Sequence, residues 1–171
     1  RARFASDGDV SIWLRDDGQI IEWDAASQGV ADVKQPGVRY AAVGRGNAFT
    51  MGLRKDGSVW VWNSGRSLGF VRYGEWVPHD PPLLVAEGVM QIAVESHGAL
   101  AVGRDGGLWV WGEAPVVWHT TTDPPAVVAP RRALGNVKQA VWGPQGGVLA
   151  LRQDGSVWGI GGPDERRFKR P

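Results

Sequence analysis

Apolar and polar positions alternate along most of this chain in short runs that are broken at glycines. VRYAAV (38–43) is followed by the turn GRGN, then AFTMGLR (48–54), KDG and SVWVWN (58–63). A side-chain period of two in runs of this length predicts half-buried β-strands, and an Asp-Gly pair between two such runs predicts a hairpin. The glycine accepts the positive φ that a primed two-residue turn demands. The same series returns as VMQIAV (89–94), ESHG, ALAVGR, DG and GLWVW, and again as VKQAVW (137–142), GPQG, GVLALR, QDG and SVWGIG. A first copy reads RARFA, SDGD, VSIWLR, DDG and QIIEW. Proline-rich inserts separate the copies and carry candidate fourth strands at VADV (30–33), PLLVA (82–86) and AVVAP (126–130). No stretch shows helical periodicity of useful length.

The turn glycines Gly18, Gly57, Gly106 and Gly155 are spaced by 39, 49 and 49 residues. A fixed period in this range marks a repeat architecture. Three or four short antiparallel strands per unit, repeated in tandem, predict an all-β chain of four propeller-type blades with cores at about 1–24, 38–63, 89–112 and 137–161. The organisation expected is a single propeller-type repeat domain over residues 1–171. Side chains alternate between the two faces of a blade, and each face packs on a neighbour. Val59 and Val61 therefore face one neighbour, while Trp60 and Trp62 face the other. Ile21, Trp109 and Trp158 take the place of Trp60, and Trp23, Trp111 and Ile160 take that of Trp62. A position that exchanges tryptophan for isoleucine is selected for apolar bulk, so these rings are expected in the core.

The pattern A-L-x-x-D-G-x-V-W-x-W-G, matched by LRKDGSVWVWN, VGRDGGLWVWG and LRQDGSVWGIG and more weakly by LRDDGQIIEWD, resembles the regulator of chromosome condensation (RCC1) repeat. The resemblance covers the four cores, about two-thirds of the chain, and implies a propeller of roughly four-stranded blades. It implies little about function, because the family includes nucleotide exchange factors on chromatin, a propeller-type bacterial β-lactamase inhibitor protein and many uncharacterised bacterial chains. The Gly-Gln-Leu-Gly segment that often follows the last tryptophan survives only as SLG (67–69), and GEAPVVW in the third copy has lost it.

Charge and composition narrow the field further. With 19 basic and 18 acidic side chains the formal net charge is +1, so no strong field points at nucleic acid or an anionic membrane, and the chromatin branch is disfavoured. Cysteine is absent, which removes disulfides and thiol catalysis. No apolar run is long enough to span a bilayer as a helix. Ten tryptophans and 25 glycines are mostly accounted for by the repeat.

Strand direction sorts the connections. If the first strand of each copy runs up, the turns SDGD, GRGN, ESHG and GPQG and the inserts after Asp24, Asn63 and Gly112 share one edge, the top, while every Asp-Gly turn lies at the bottom. The top thus collects Phe70, Arg72, Tyr73, Trp76, His79, His97, Trp118 and His119, none of them at a repeated core position. Aromatics and arginine on unlike loops over a rigid scaffold suit a protein-binding surface. A carbohydrate-binding propeller, the alternative, would repeat one pocket per blade. An enzyme or an exchange factor ranks below both. Glu95, Ser96 and His97 are neighbours in a turn and point apart, and the Asp of each Asp-Gly pair is a turn former. His79 with Asp80 and His119 with Asp123 lack a recognised ligand spacing, so neither metal nor cofactor is expected. The tail RRFKR (166–170) reads as a solvated end.

The last expectation concerns closure. The chain starts at Arg1 in the first-strand equivalent, with no outer strand before it, and only RRFK after Gly162 offers to complete a blade. Four units of this family are few for a ring, and an unpaired blade edge invites another chain. Either self-association, two arcs making one ring, or excision from a longer propeller is expected, with a small closed four-bladed ring as the rival.

Overall fold

The computed structural model describes residues 4–6, 10–24, 32–47, 49–64, 78–96, 98–112, 128–143 and 147–160. Among them there is no helix. Fifteen strands form four separate sheets. The first sheet holds β1 (Phe4–Ser6), β2 (Val10–Leu14), β3 (Ile20–Asp24) and β4 (Asp32–Lys34), in that order. The second holds β5 (Tyr40–Gly46), β6 (Phe49–Arg54), β7 (Val59–Ser64) and β8 (Pro78–Ala86). The third holds β9 (Val89–Glu95), β10 (Gly98–Gly103), β11 (Leu108–Gly112) and β12 (Val128–Leu134). The fourth holds β13 (Val137–Trp142), β14 (Val148–Arg152) and β15 (Val157–Ile160). Every pairing is antiparallel, so each sheet is a meander, and the expected fourth strands are present in the first three.

The hairpin turns show why Asp-Gly recurs. Gly18, Gly57, Gly106 and Gly155 have φ of +83°, +95°, +74° and +83°. The turn is one residue longer than the primed type suggested by the sequence. The Gly57 N–H donates to the Arg54 carbonyl at 3.1 Å, and the Arg54 N–H donates to the Ser58 carbonyl at 2.9 Å. Lys55, Asp56 and Gly57 therefore form a three-residue loop with glycine in the left-handed position, a geometry as compatible with Asp-Gly as the two-residue turn. The aspartate fixes the loop, since Asp56 Oδ1 accepts from the Ser58 N–H at 2.8 Å and from its hydroxyl at 2.7 Å. Equivalent bonds join Gln19 to Asp17, Gly107 to Asp105 and Ser156 to Asp154. The bonds from the Ser58 N–H and then its hydroxyl hold the Asp56 carboxyl below the ordinary carboxylate range; at Asp154 the Ser156 hydroxyl leads and its N–H follows.

The same turns join one sheet to the next. The Gly18 carbonyl accepts from the Tyr40 N–H at 2.7 Å, the Gly57 carbonyl from Val89 N–H at 3.0 Å, and the Gly106 carbonyl from Val137 N–H at 2.8 Å. Each acceptor is the turn glycine of one blade, and each donor is the first residue of the next blade's inner strand. A Cβ on Gly57 would lie 3.0 Å from the Val89 carbonyl oxygen, so glycine is required by close approach as well as by φ.

Three apolar clusters fill the three joints. Ile12, Leu14 and Ile20 of the first sheet meet Tyr40, Val43 and Trp62 of the second. Met51, Leu53, Val59 and Val61 meet Val89, Ala99, Ala101 and Trp111 of the third. Leu100, Val102, Leu108 and Val110 meet Val137, Ala140, Val148 and Ala150 of the fourth. Val59 and Val61 thus face forward and Trp62 faces back, as the alternation requires. β1 and β2 pack on β5, β5 and β6 on β9, and β9 and β10 on β13. No packing of that extent joins the fourth sheet to the first among the described residues. The blades make an open arc.

Candidate binding surfaces

The meander fixes which connections share an edge. Inner strands β1, β5, β9 and β13 end where β2, β6, β10 and β14 begin, and the third strands β3, β7 and β11 end at that same edge. Segments 25–31, 65–77 and 113–127 therefore start there, across each blade from its Asp-Gly turn. Phe70, Arg72, Tyr73, Trp76, His97, Trp118 and His119 lie outside the described residues. His79 lies in β8, its Cα opposite that of Asn63.

The described part of this edge is polar. Ser6, Arg45, Asn47, Glu95 and Ser96, at the ends of β1, β5 and β9, line a recess of about 310 Å³. The Asn47 N–H donates to the Ser96 carbonyl at 2.8 Å, which ties the turn of the second blade to that of the third. Arg45 Nη1 donates to Thr50 Oγ1 at 2.9 Å, so its guanidinium is held across the blade top. Among the described residues no three His, Asp or Glu side chains converge as metal ligands would.

A second recess arises where one blade departs from its repeat. In the second blade Trp60 donates its indole N–H to Ser58 Oγ at 2.9 Å and carries the Arg54 guanidinium over its ring at 4.1 Å. In the fourth, Trp158 donates to Ser156 at 2.9 Å and Arg152 sits 5.3 Å from its ring. The third blade has Gly107 in place of the serine and Gly103 in place of the arginine. Its Asp105 turns instead to Arg132, at 3.3 Å. Without the guanidinium cover Trp109 stays 37% exposed and lines an apolar cleft of about 540 Å³ with Val85, Ala86, Pro130 and Trp111. The sequence reading placed the whole Trp60 row in the core. Full burial is reached only in the Trp62 row, at 4% for Trp62 and 2% for Trp111; in that row Trp23 is 41% exposed and Ile160 is partly buried. The signal for the cleft lay in the two glycines that replace Arg and Ser.

With this geometry in hand, the chain can be set against known proteins. No protein-family model matches it. An RCC1 domain-containing mitochondrial protein of Arabidopsis thaliana, RUG3, is 30% identical over 123 residues, which cover 65% of this chain and 28% of that protein. Human WBSCR16 shares the fold at a TM-score of 0.70 and 22% identity, over 95% of this chain and 49% of its own. Yeast RCC1 (Prp20), solved bound to Kap60, does so at 0.71 and 17%, over 92% of this chain and 42% of its own. The repeats are thus similar in sequence to those of an RCC1 domain-containing protein and in fold to RCC1 itself. The chain spans under a third of the Arabidopsis relative and about half or less of the two solved chains.

Proposed function

We propose that this RCC1-type chain is a non-enzymatic protein-binding module whose contact surface is the top edge, with a second copy of the chain among its protein partners. The single observation that carries the reading is that three unlike inserts start from one edge of a strand scaffold, after Asp24, Ser64 and Gly112. Those inserts hold Phe70, Arg72, Tyr73, Trp76, Trp118 and His119, and His79 and His97 flank them. Large aromatics and arginine supply most of the energy at protein interfaces, and loops on a rigid scaffold can vary without disturbing the core. Relatives give support of the same kind: yeast RCC1 was solved with Kap60 bound, and Prp20p of Saccharomyces cerevisiae was studied for its binding to Gsp1p and histones. Carbohydrate binding through one pocket per blade fits less well, because the described recesses differ from blade to blade in lining and size. The test is affinity capture from the source organism with the wild-type chain and with Trp76→Ala, Trp118→Ala and Tyr73→Ala, each checked for an unchanged circular dichroism spectrum. The reading expects a discrete partner that at least one loop variant loses. Equal capture by all four chains would contradict it.

A further inference from the structure

The three joints inside the chain define what a fourth must look like, and both halves of a fourth are present with no partner among the described residues. On the forward face of each blade four positions meet the next blade. They are Ile12, Leu14, Ile20 and Glu22 in the first, Met51, Leu53, Val59 and Val61 in the second, and Leu100, Val102, Leu108 and Val110 in the third. The apolar members of these sets are at most 6% exposed. The fourth blade has Leu149, Leu151, Val157 and Gly159 in the same places, and Leu149 is 37% exposed. Beside it Val141 is 44% exposed, where its equivalent Ala93 packs against the next blade.

The polar elements of the joint are repeated too. In the third blade the Gln91 side chain reaches forward, donating from Nε2 to the Ala140 carbonyl at 2.6 Å and accepting the Ala140 N–H on Oε1 at 3.1 Å. Gln139 is its counterpart in the fourth blade, exposed and without such a bond. Gly18, Gly57 and Gly106 are buried under the next blade, whereas Gly155 is exposed with no atom within 4 Å of the place of its Cβ.

The other half is the rear face of the first blade. Trp62 and Trp111 cover the forward face of the preceding blade. Trp23 stands at that position in the first blade and is 41% exposed. Trp13 is 62% exposed, with Phe4 edge-on to it at 6.3 Å, and occupies the place held by Gly52, Ala101 and Ala150 elsewhere. Sizes are exchanged across the two free faces: the rear face gains a tryptophan where its sisters are small, and the forward face has Gly159 where the second and third blades have valine.

We propose that the forward face of the fourth blade seats the rear face of the first blade of a second copy, with Trp23 and Trp13 covering Leu149, Leu151 and Val157 and Gln139 bonding the partner's inner strand. The inference rests on the reading that a second copy is among the partners, and not on the loop surface. Made twice, the joint closes two arcs into one ring of eight blades, within the usual range of four to eight. A head-to-tail contact of this kind closes only if the rotation allows it. The interface also removes from water the exposed apolar side chains of Trp13, Trp23, Val141 and Leu149.

The experiment is size-exclusion chromatography with multi-angle light scattering over a dilution series, on the wild-type chain, Leu149→Arg, Trp23→Glu and a control at an exposed turn residue, Lys55→Ala. Expected are a wild-type mass near twice 18.5 kDa that falls on dilution, the same mass for Lys55→Ala, and monomers for the two face variants at concentrations where wild type is dimeric. An equimolar mixture of Leu149→Arg and Trp23→Glu retains one intact pair of faces, so the mixture regains dimer that neither variant forms alone. This recovery is what a merely misfolded variant would not give. A wild-type monomer at every concentration overturns the second copy as partner. A dimer that survives both face variants, or a mixture that stays monomeric, overturns the seat.

Discussion

Leu100→Ala and Leu149→Ala alter the same repeat position in adjacent blades and ought to differ several-fold in cost. Leu100 is fully buried, in the cluster that also holds Val148 and Ala150 of the next sheet. Its truncation loses the transfer free energy of the side chain and leaves a cavity between two sheets, a combination that costs about 3–4 kcal/mol in fully packed sites. Leu149 is 37% exposed on a face that no other part of the described chain covers. Water fills the space its side chain vacates, so the cavity contribution disappears and part of the transfer contribution with it, which leaves about 1 kcal/mol. Urea unfolding followed by circular dichroism measures both, provided that the protein is dilute enough to be monomeric. Repeating the pair at high concentration adds a second readout, since the cost of Leu149→Ala then rises by the association free energy it removes. Equal costs in dilute solution would refute the argument that the fourth blade's forward face is open.

Three further outcomes follow from the same joints. Trp62→Ala should cost about 3–5 kcal/mol in denaturant melts, because the ring is buried against Ile12, Leu14 and Ile20, while Trp60→Ala costs clearly less, its ring being only partly buried under Arg54. Gly57→Ala should lose more stability than Gly155→Ala: both incur the left-handed penalty of about 1–2 kcal/mol, and only Gly57 adds a collision with the Val89 carbonyl. Burial raises the Tyr40 hydroxyl pKa above its ordinary 10.0, against opposing pulls from Arg54 and Gln35. The folded state therefore holds that proton more tightly than the unfolded chain does, so its contribution is fully present below pH 10.0 and is lost as the pH rises above it. Tyr40→Phe should flatten that alkaline slope in pH-dependent melts.

The strands and their order were legible because a two-residue period and Asp-Gly turns leave little else for the chain to form. The forward and rear faces were legible for the same reason: Val59 and Val61 part from Trp62 by alternation alone. What alternation cannot carry is whether a face has a neighbour. Leu100 and Leu149 hold the same repeat position, and the end of the arc separates buried from exposed. The turn length escaped because Asp-Gly serves two loop geometries, which are distinguished by the partner of the Arg54 N–H. Trp109 escaped because its exposure depends on side chains missing beside it, at Gly103 and Gly107 where the second and fourth blades have Arg and Ser, rather than on its own place in the pattern. The loop residues Phe70 to Trp76, Trp118 and His119 were singled out only by failing to repeat. That failure says where a site belongs and nothing about which way a side chain points.

The account rests most directly on the repeated joint between blades, and amide hydrogen exchange reads it residue by residue. The N–H groups of Tyr40, Val89 and Val137 begin the inner strands, and each is bonded to the turn glycine of the preceding blade. Amides buried at a docked interface exchange only through opening of that interface. Nuclear magnetic resonance exchange measurements should place these three among the slowly exchanging amides, near those of the strand interiors and far slower than the N–H of the exposed turn residue Lys55. Rapid exchange at all three, with the sheets themselves protected, would mean blades that fold singly without packing into an arc, and would contradict the account.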